Sequence, residues 1–176
     1  MGIDTIVQNI SGPDQLAQHF DQLAVELLAN GYTLCFSAQG TSMKPLIQSG
    51  DLVRVEPIDP RVIHLSDIVL FLNNQGFLVL HRVIGFKYSN GFKYFLTKGD
   101  QAAQPDGYFE MQQLKGKLTA IERNGEKITF RQPVFKFANW LAMVRSRKTS
   151  LSQKLLPKLA RQWLRETIFK KYTFQS

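Results

Sequence analysis

The sequence predicts a mainly β protein with flanking helices: a coiled antiparallel sheet or partly open barrel, preceded by an N-terminal helix and followed by basic C-terminal helices. Three observations carry that prediction. Short runs of branched and aromatic residues, separated by turn chemistry, fill the region from Tyr32 to Phe130. Two Asn-Gly pairs, Asn90-Gly91 and Asn124-Gly125, are hairpin signals, because both residues of the turn tolerate positive φ. Helical spacing of apolar residues is confined to the two ends of the chain.

Residues 13–30 read as an amphipathic helix. Leu16, Phe20, Leu23 and Leu27 recur at three- and four-residue spacing, Ser11 or Gly12 can cap ahead of Pro13, and Asn30-Gly31 ends the run. His19 lies among polar neighbours and reads as solvated. Strands are expected at Tyr32–Ala38, Leu52–Glu56, Ile68–Leu72, Phe77–Phe86, Lys93–Thr97, Leu114–Glu122 and Lys127–Phe130, with a further turn at Gln75-Gly76. Beyond residue 130, Pro133 can open a helix through Val134, Phe137, Leu141 and Val144. After the break Arg145–Ser152, a second helix carries Leu155, Leu159, Trp163 and Ile168 on one side and Lys154, Lys158, Arg161 and Arg165 on the other. The chain thus divides into residues 1–31 as a helix on the core, 32–130 as the β domain and 131–176 as a basic helical appendage.

Charge is divided the same way. Residues 1–130 hold 11 Lys/Arg against 13 Asp/Glu, whereas residues 131–176 hold 11 Lys/Arg against the single acid Glu166. An apolar stripe beside that many cations suits an anionic membrane surface, an acidic protein partner, or packing on the core with a charged outer face, and disfavours nucleic acid. The 44% hydrophobic content supplies a core and excludes a disordered chain. No apolar window reaches the ~18 residues of a membrane span, and the first residues carry neither a basic, apolar export leader nor a myristoylation pattern. The expected location is cytoplasmic or peripheral at the inner face of the membrane. Cys35 is the only cysteine, so no intrachain disulfide can form; its apolar neighbours Leu34 and Phe36 suggest a buried thiol. His19, His64, His81 and Cys35 are too scattered for a zinc site, no glycine-rich phosphate loop is present, and no cofactor is expected.

The chemistry concentrates in residues 36–55, where two strands flank a polar loop bearing Ser42. Gly40 permits positive φ or the close approach of a ligand, and Pro45 stiffens the exit, so the Ser42 hydroxyl would sit on a rigid turn. A serine hydroxyl needs a base to become a nucleophile. His81 supplies one, since imidazole is largely neutral near pH 7; His64, in a loop with no surrounding motif, is the alternative. Asp100 and Asp106, both in the loop after the strand that would neighbour His81, compete to orient the imidazole. The backbone N–H of Ser42 is the expected donor to an oxyanion, with Thr41 a weaker candidate.

The blocks Gly40-Thr41-Ser42-Met43-Lys44-Pro45, Gly50-Asp51-Leu52-Val53-Arg54-Val55, Ser66-Asp67-Ile68-Val69-Leu70-Phe71, His81-Arg82-Val83-Ile84-Gly85 and Thr97-Lys98-Gly99-Asp100 resemble, in order and spacing, the signal peptidase I superfamily. The resemblance covers roughly residues 36–108. Where the bacterial branch has a lysine base, this chain has His81, which is similar to the endoplasmic-reticulum, archaeal and sporulation-type enzymes in which Ser, His and Asp work together. That resemblance implies a serine endopeptidase acting on a peptide or protein substrate, with Asp106, six residues after Asp100, as the orienting acid and Asp100 in support. It also implies that Met43 packs behind the nucleophile and shapes the substrate pocket. Many relatives carry a serine at the position of Gly40, which leaves the second oxyanion donor open. The alternatives are a LexA-like regulatory protein, disfavoured because the first 30 residues hold one helix and no helix-turn-helix, and a non-catalytic scaffold of the same fold.

Overall fold

A computed structural model describes residues 13–129. It opens with α1, Pro13–Ala29, which ends where Gly31 takes φ +85° and the N–H groups of Gly31 and Tyr32 reach back to the carbonyls of Leu28 and Leu27. That double closure satisfies carbonyls the helix would otherwise leave unpaired. Eight strands follow: β1 Leu34–Ser37, β2 Leu52–Glu56, β3 Ile68–Leu72, β4 Leu78–Ser89, β5 Phe92–Lys98, β6 Gly107–Glu110, β7 Leu114–Arg123 and β8 Glu126–Thr129. They form one antiparallel sheet in the order β1-β2-β7-β3-β4-β5-β6, with β8 paired to the last residues of β7. The sheet is strongly curled, a half-barrel, as the sequence predicts. Register shifts at Arg54/Val55, Leu70/Phe71 and Val83/Gly85 bend the strands and increase their twist, which helps the sheet to curl.

Both Asn-Gly turns form with Asn90 and Asn124 at φ +51° and +52°. β2 and β3 have their expected limits. β4 runs on to Ser89, because pairing with β5 continues almost to the turn. The short strand β6 was not expected: its four residues follow Pro105-Asp106 in what reads as loop, and they are a strand only because β5 offers an edge from Tyr94 to Thr97. The expected helices after residue 130 lie outside the described residues.

Two apolar clusters lie against the sheet. The first joins Ala24 and Leu28 of α1 to Leu34, Val53, Val55, Ile68, Leu70, Leu118 and Ile121, and takes in Met43 and Ile47 from the serine loop. The second joins Val69, Phe71, Val83, Phe95, Phe109 and Leu114, with the rings of Phe71 and Phe95 edge to face at 5.6 Å. Alternate residues of β3 serve opposite clusters, so this strand is covered on both faces and reads as a continuous apolar run. Gly116 permits the helix side of this arrangement, since a Cβ there would meet Val55 at 2.6 Å and the Glu56 carbonyl at 2.9 Å.

Two expectations change. The buried side of α1 is carried by Ala24 and Leu28, while Phe20 and Leu23 are exposed, because the small Ala24 rather than a large residue meets the sheet. Cys35 is exposed, not buried. β1 has one face on the core, so Leu34 turns in and its neighbour must turn out, whatever the polarity of the run.

Candidate active site

In a flat sheet of this order β1 and β4 would stand about 19 Å apart, four strand spacings. Curling closes that gap. The loop from Ala38 to Asp51 leaves β1, crosses towards β4 and returns to β2. Its neck is fixed by Ala38 N–H on the Asp51 carbonyl and Gly50 N–H on the Ala38 carbonyl, and Met43 and Ile47 plug it into the first cluster. Gly40 takes φ +88° with open space where a Cβ would be, Pro45 follows a cis peptide bond and is exposed, and Thr41 accepts the Lys44 N–H through its carbonyl. Met43 is buried behind the loop, and Ser42 is exposed beside it.

Ser42 Oγ lies 2.9 Å from His81 Nε2, and His81 Nδ1 lies 2.8 Å from Asp106 Oδ2. The imidazole is 13% exposed; the carboxylate is 24% exposed, turned inward from a backbone that is itself at the surface. A fourth group completes the chain: buried Thr97 donates its hydroxyl to the same Asp106 oxygen at 2.8 Å, while the Asp106 N–H returns to the Thr97 carbonyl. Burial acts to raise the Asp106 carboxyl. The hydrogen bond and charge of His81, the Thr97 hydroxyl and the nearby Lys98 charge outweigh it and hold the carboxyl below its ordinary range. An ionised carboxylate can only accept, so His81 carries its proton on Nδ1 and leaves Nε2 free to accept from the serine.

Asp100 does not join this chain. Both its oxygens are taken by Arg82, at 2.7 Å from Nε and 2.6 Å from Nη2, and Arg82 donates a third bond from Nη1 to the Ser66 carbonyl. Asp100 therefore supports the loop rather than the imidazole. The imidazole within reach of Ser42 is that of His81; the His64 ring is 77% exposed on the β2 to β3 connection, with Asp67 as its near neighbour. Residues not singled out in the sequence matter as much. Arg123 forks onto buried Asp51 at 2.7 and 2.6 Å and onto the Leu46 carbonyl at 3.0 Å, tying the serine loop to β7. Here too the fork, with the Gln48 N–H, outweighs burial and holds the Asp51 carboxyl below its ordinary range. Gly99 lies against Ser42 and His81, where an added Cβ would come within 3.0 Å of the Ser42 carbonyl and 3.1 Å of His81 Nε2. The next loop residue, Gln101, donates its N–H to that same carbonyl at 2.8 Å, so the two loops are directly joined. The block Thr97-Lys98-Gly99-Asp100 flagged this loop; nothing near Arg123 flagged the other anchor.

No family model matches the chain. It is similar to signal peptidase I W of Bacillus subtilis (strain 168), 32% identical over 77 residues, which is 43% of this chain and 40% of that protein. The match and the curled antiparallel sheet fit the signal-peptidase-like superfamily. Among the described residues no group of His, Cys, Asp and Glu could hold a metal ion, and no helix is long and apolar enough to cross a membrane.

Proposed function

We propose that the protein is a serine endopeptidase of the Ser-His-Asp kind, cleaving a peptide or a precursor leader through an acyl-enzyme. The observation that carries the reading is the continuous chain from Ser42 through His81 to Asp106, with both links below 3 Å. Ser42 Oγ attacks the scissile carbonyl while His81 Nε2 takes its proton. As the C–N bond breaks, the imidazolium returns that proton to the leaving amine, and the acyl group remains as an ester on Ser42. His81 then draws a proton from water, whose oxygen attacks the ester and frees the acid and the serine. Asp106 stays ionised throughout, fixing the tautomer and stabilising the imidazolium; Thr97 holds Asp106 in place. The Ser42 N–H would meet the oxyanion. The substrate would lie extended along a strand edge, with small side chains one and three residues before the cut.

The test is direct. An active-site serine probe should label the wild-type protein and not Ser42→Ala, and Ser42→Ala or His81→Ala should each lower turnover on a cleaved peptide by about 10⁴- to 10⁶-fold. Full activity in either variant would end the mechanism.

A further inference from the structure

The strand that carries the base has an open edge. Pairing of β4 with β5 begins at Arg82↔Lys98, so among the described residues no strand lies beside Leu78–His81 on that side, although β3 pairs with all four on the other. Backbone groups alternate between the two sides of a strand. Val83 donates its N–H to the Asp67 carbonyl and accepts the Ser66 N–H through its own carbonyl, on the β3 side, so the groups of Leu80 and Leu78 point to the open edge. At Leu78 that edge is already stopped: its N–H donates to Asp21 Oδ2 of α1 at 3.0 Å, across 57 residues of sequence. The preceding helix residue, Phe20, meets Phe36 of β1 edge to face at 5.7 Å. One turn of α1 therefore spans from β1, which leads to Ser42, to β4, which leads to His81.

We propose that Asp21 sets the length of the substrate segment that pairs with β4. This rests on the peptidase reading above. A peptide extended along the edge from His81 reaches Leu78 after three residues, about 10 Å at strand rise. It can exchange both backbone bonds with Leu80. At Leu78 its carbonyl meets an N–H already occupied, and a carboxylate of like polarity. Segments of up to about four residues on that side of the scissile bond gain from the edge; longer ones add chain without adding bonds, so recognition there stops depending on length.

Two series of peptides, lengthened one residue at a time on the acyl side or on the amine side, test this. In one series kcat/KM of the wild-type protein rises to about four residues and then levels, and Asp21→Ala continues to rise, by about tenfold over the next two residues for the backbone bond regained. A wild-type protein whose kcat/KM keeps climbing past six residues in both series overturns the inference without need of any variant. So does an Asp21→Ala protein whose length dependence matches the wild type. If no peptide is cleaved and the serine probe leaves Ser42 unlabelled, the peptidase reading itself fails and takes this one with it; cleavage with the wrong length dependence sinks only the role of Asp21.

Discussion

The proposed nucleophile, Ser42, and its proposed base, His81, are each held by an aspartate–arginine fork, and the two forks are built differently. On the serine side, Arg123 reaches Asp51 from the last residue of β7 with its side chain 27% exposed, and the loop has other supports: a closed neck and two apolar plugs. On the histidine side, Arg82 is fully buried and Asp100 is 5% exposed, and the guanidinium lies one residue from the base itself. The serine loop is thus fastened several times over, each fastening modest. The strand end that carries His81 and the loop over it are joined through a dry ion pair, with backbone bonds from Gln101 and Asp106 beside it. A buried charge left without its partner costs far more than a half-solvated one.

Single removals should separate the two. Arg82→Met leaves Asp100 unpaired in the interior and should destabilise the fold by about 3–5 kcal/mol, whereas Arg123→Met opens a partly exposed position to water and leaves Asp51 its bond from the Gln48 N–H, and should cost about 1–3 kcal/mol. Urea unfolding of both variants reads the difference. Equal losses would mean that the backbone closure of the serine loop contributes little and that the two forks are equivalent.

The sheet was legible because strand chemistry is local: branched residues, alternation and Asn-Gly turns each act within a few residues. Ser42 and His81 were legible as residue types in blocks that resemble a known superfamily, and Asp106 by its offset from Asp100 under that resemblance. The forks were not, because Asp51 and Arg123 are 72 residues apart and meet only once the sheet has curled. Asp100 was the rival acid because its position in the sequence is next to the site; it was read as a supporting loop residue, and both its oxygens go to Arg82. Cys35 misled because an apolar run says nothing about which side of an edge strand faces out.

Gly99 sharpens the comparison within the loop that the buried fork positions. In Gly99→Ala the new methyl group would stand 3.0–3.1 Å from the Ser42 carbonyl, Ser42 Cβ and His81 Nε2, so the serine or the imidazole must shift by a few tenths of an ångström. Catalysis depends on reacting geometry more steeply than folding does. The expected outcome is a fall in kcat of about 10- to 100-fold with a melting temperature close to the wild type. A large loss of stability with little loss of specific activity would assign the glycine to packing instead.

The smallest effect belongs to Thr97, which touches neither reactant. Its hydroxyl is one of the groups that lower the Asp106 carboxyl, so Thr97→Val should let that carboxyl rise towards the usual value of about 3.9. A carboxylate lowered in the folded state contributes stability above its unfolded pKa, and that contribution is lost as pH falls through the folded value. In Thr97→Val that contribution should therefore be smaller, and its loss, which begins near the unfolded pKa in both proteins, complete at higher pH, seen by urea unfolding between about pH 5 and 3. At neutral pH Asp106 remains ionised in both proteins and still accepts from His81, so kcat should fall only by about three- to tenfold, with KM unchanged. Thr97→Ser, which keeps the donor, should recover the wild-type behaviour in both measurements. If it does not, the threonine methyl group rather than the hydroxyl supports Asp106, and the acid is held by shape rather than by a hydrogen bond.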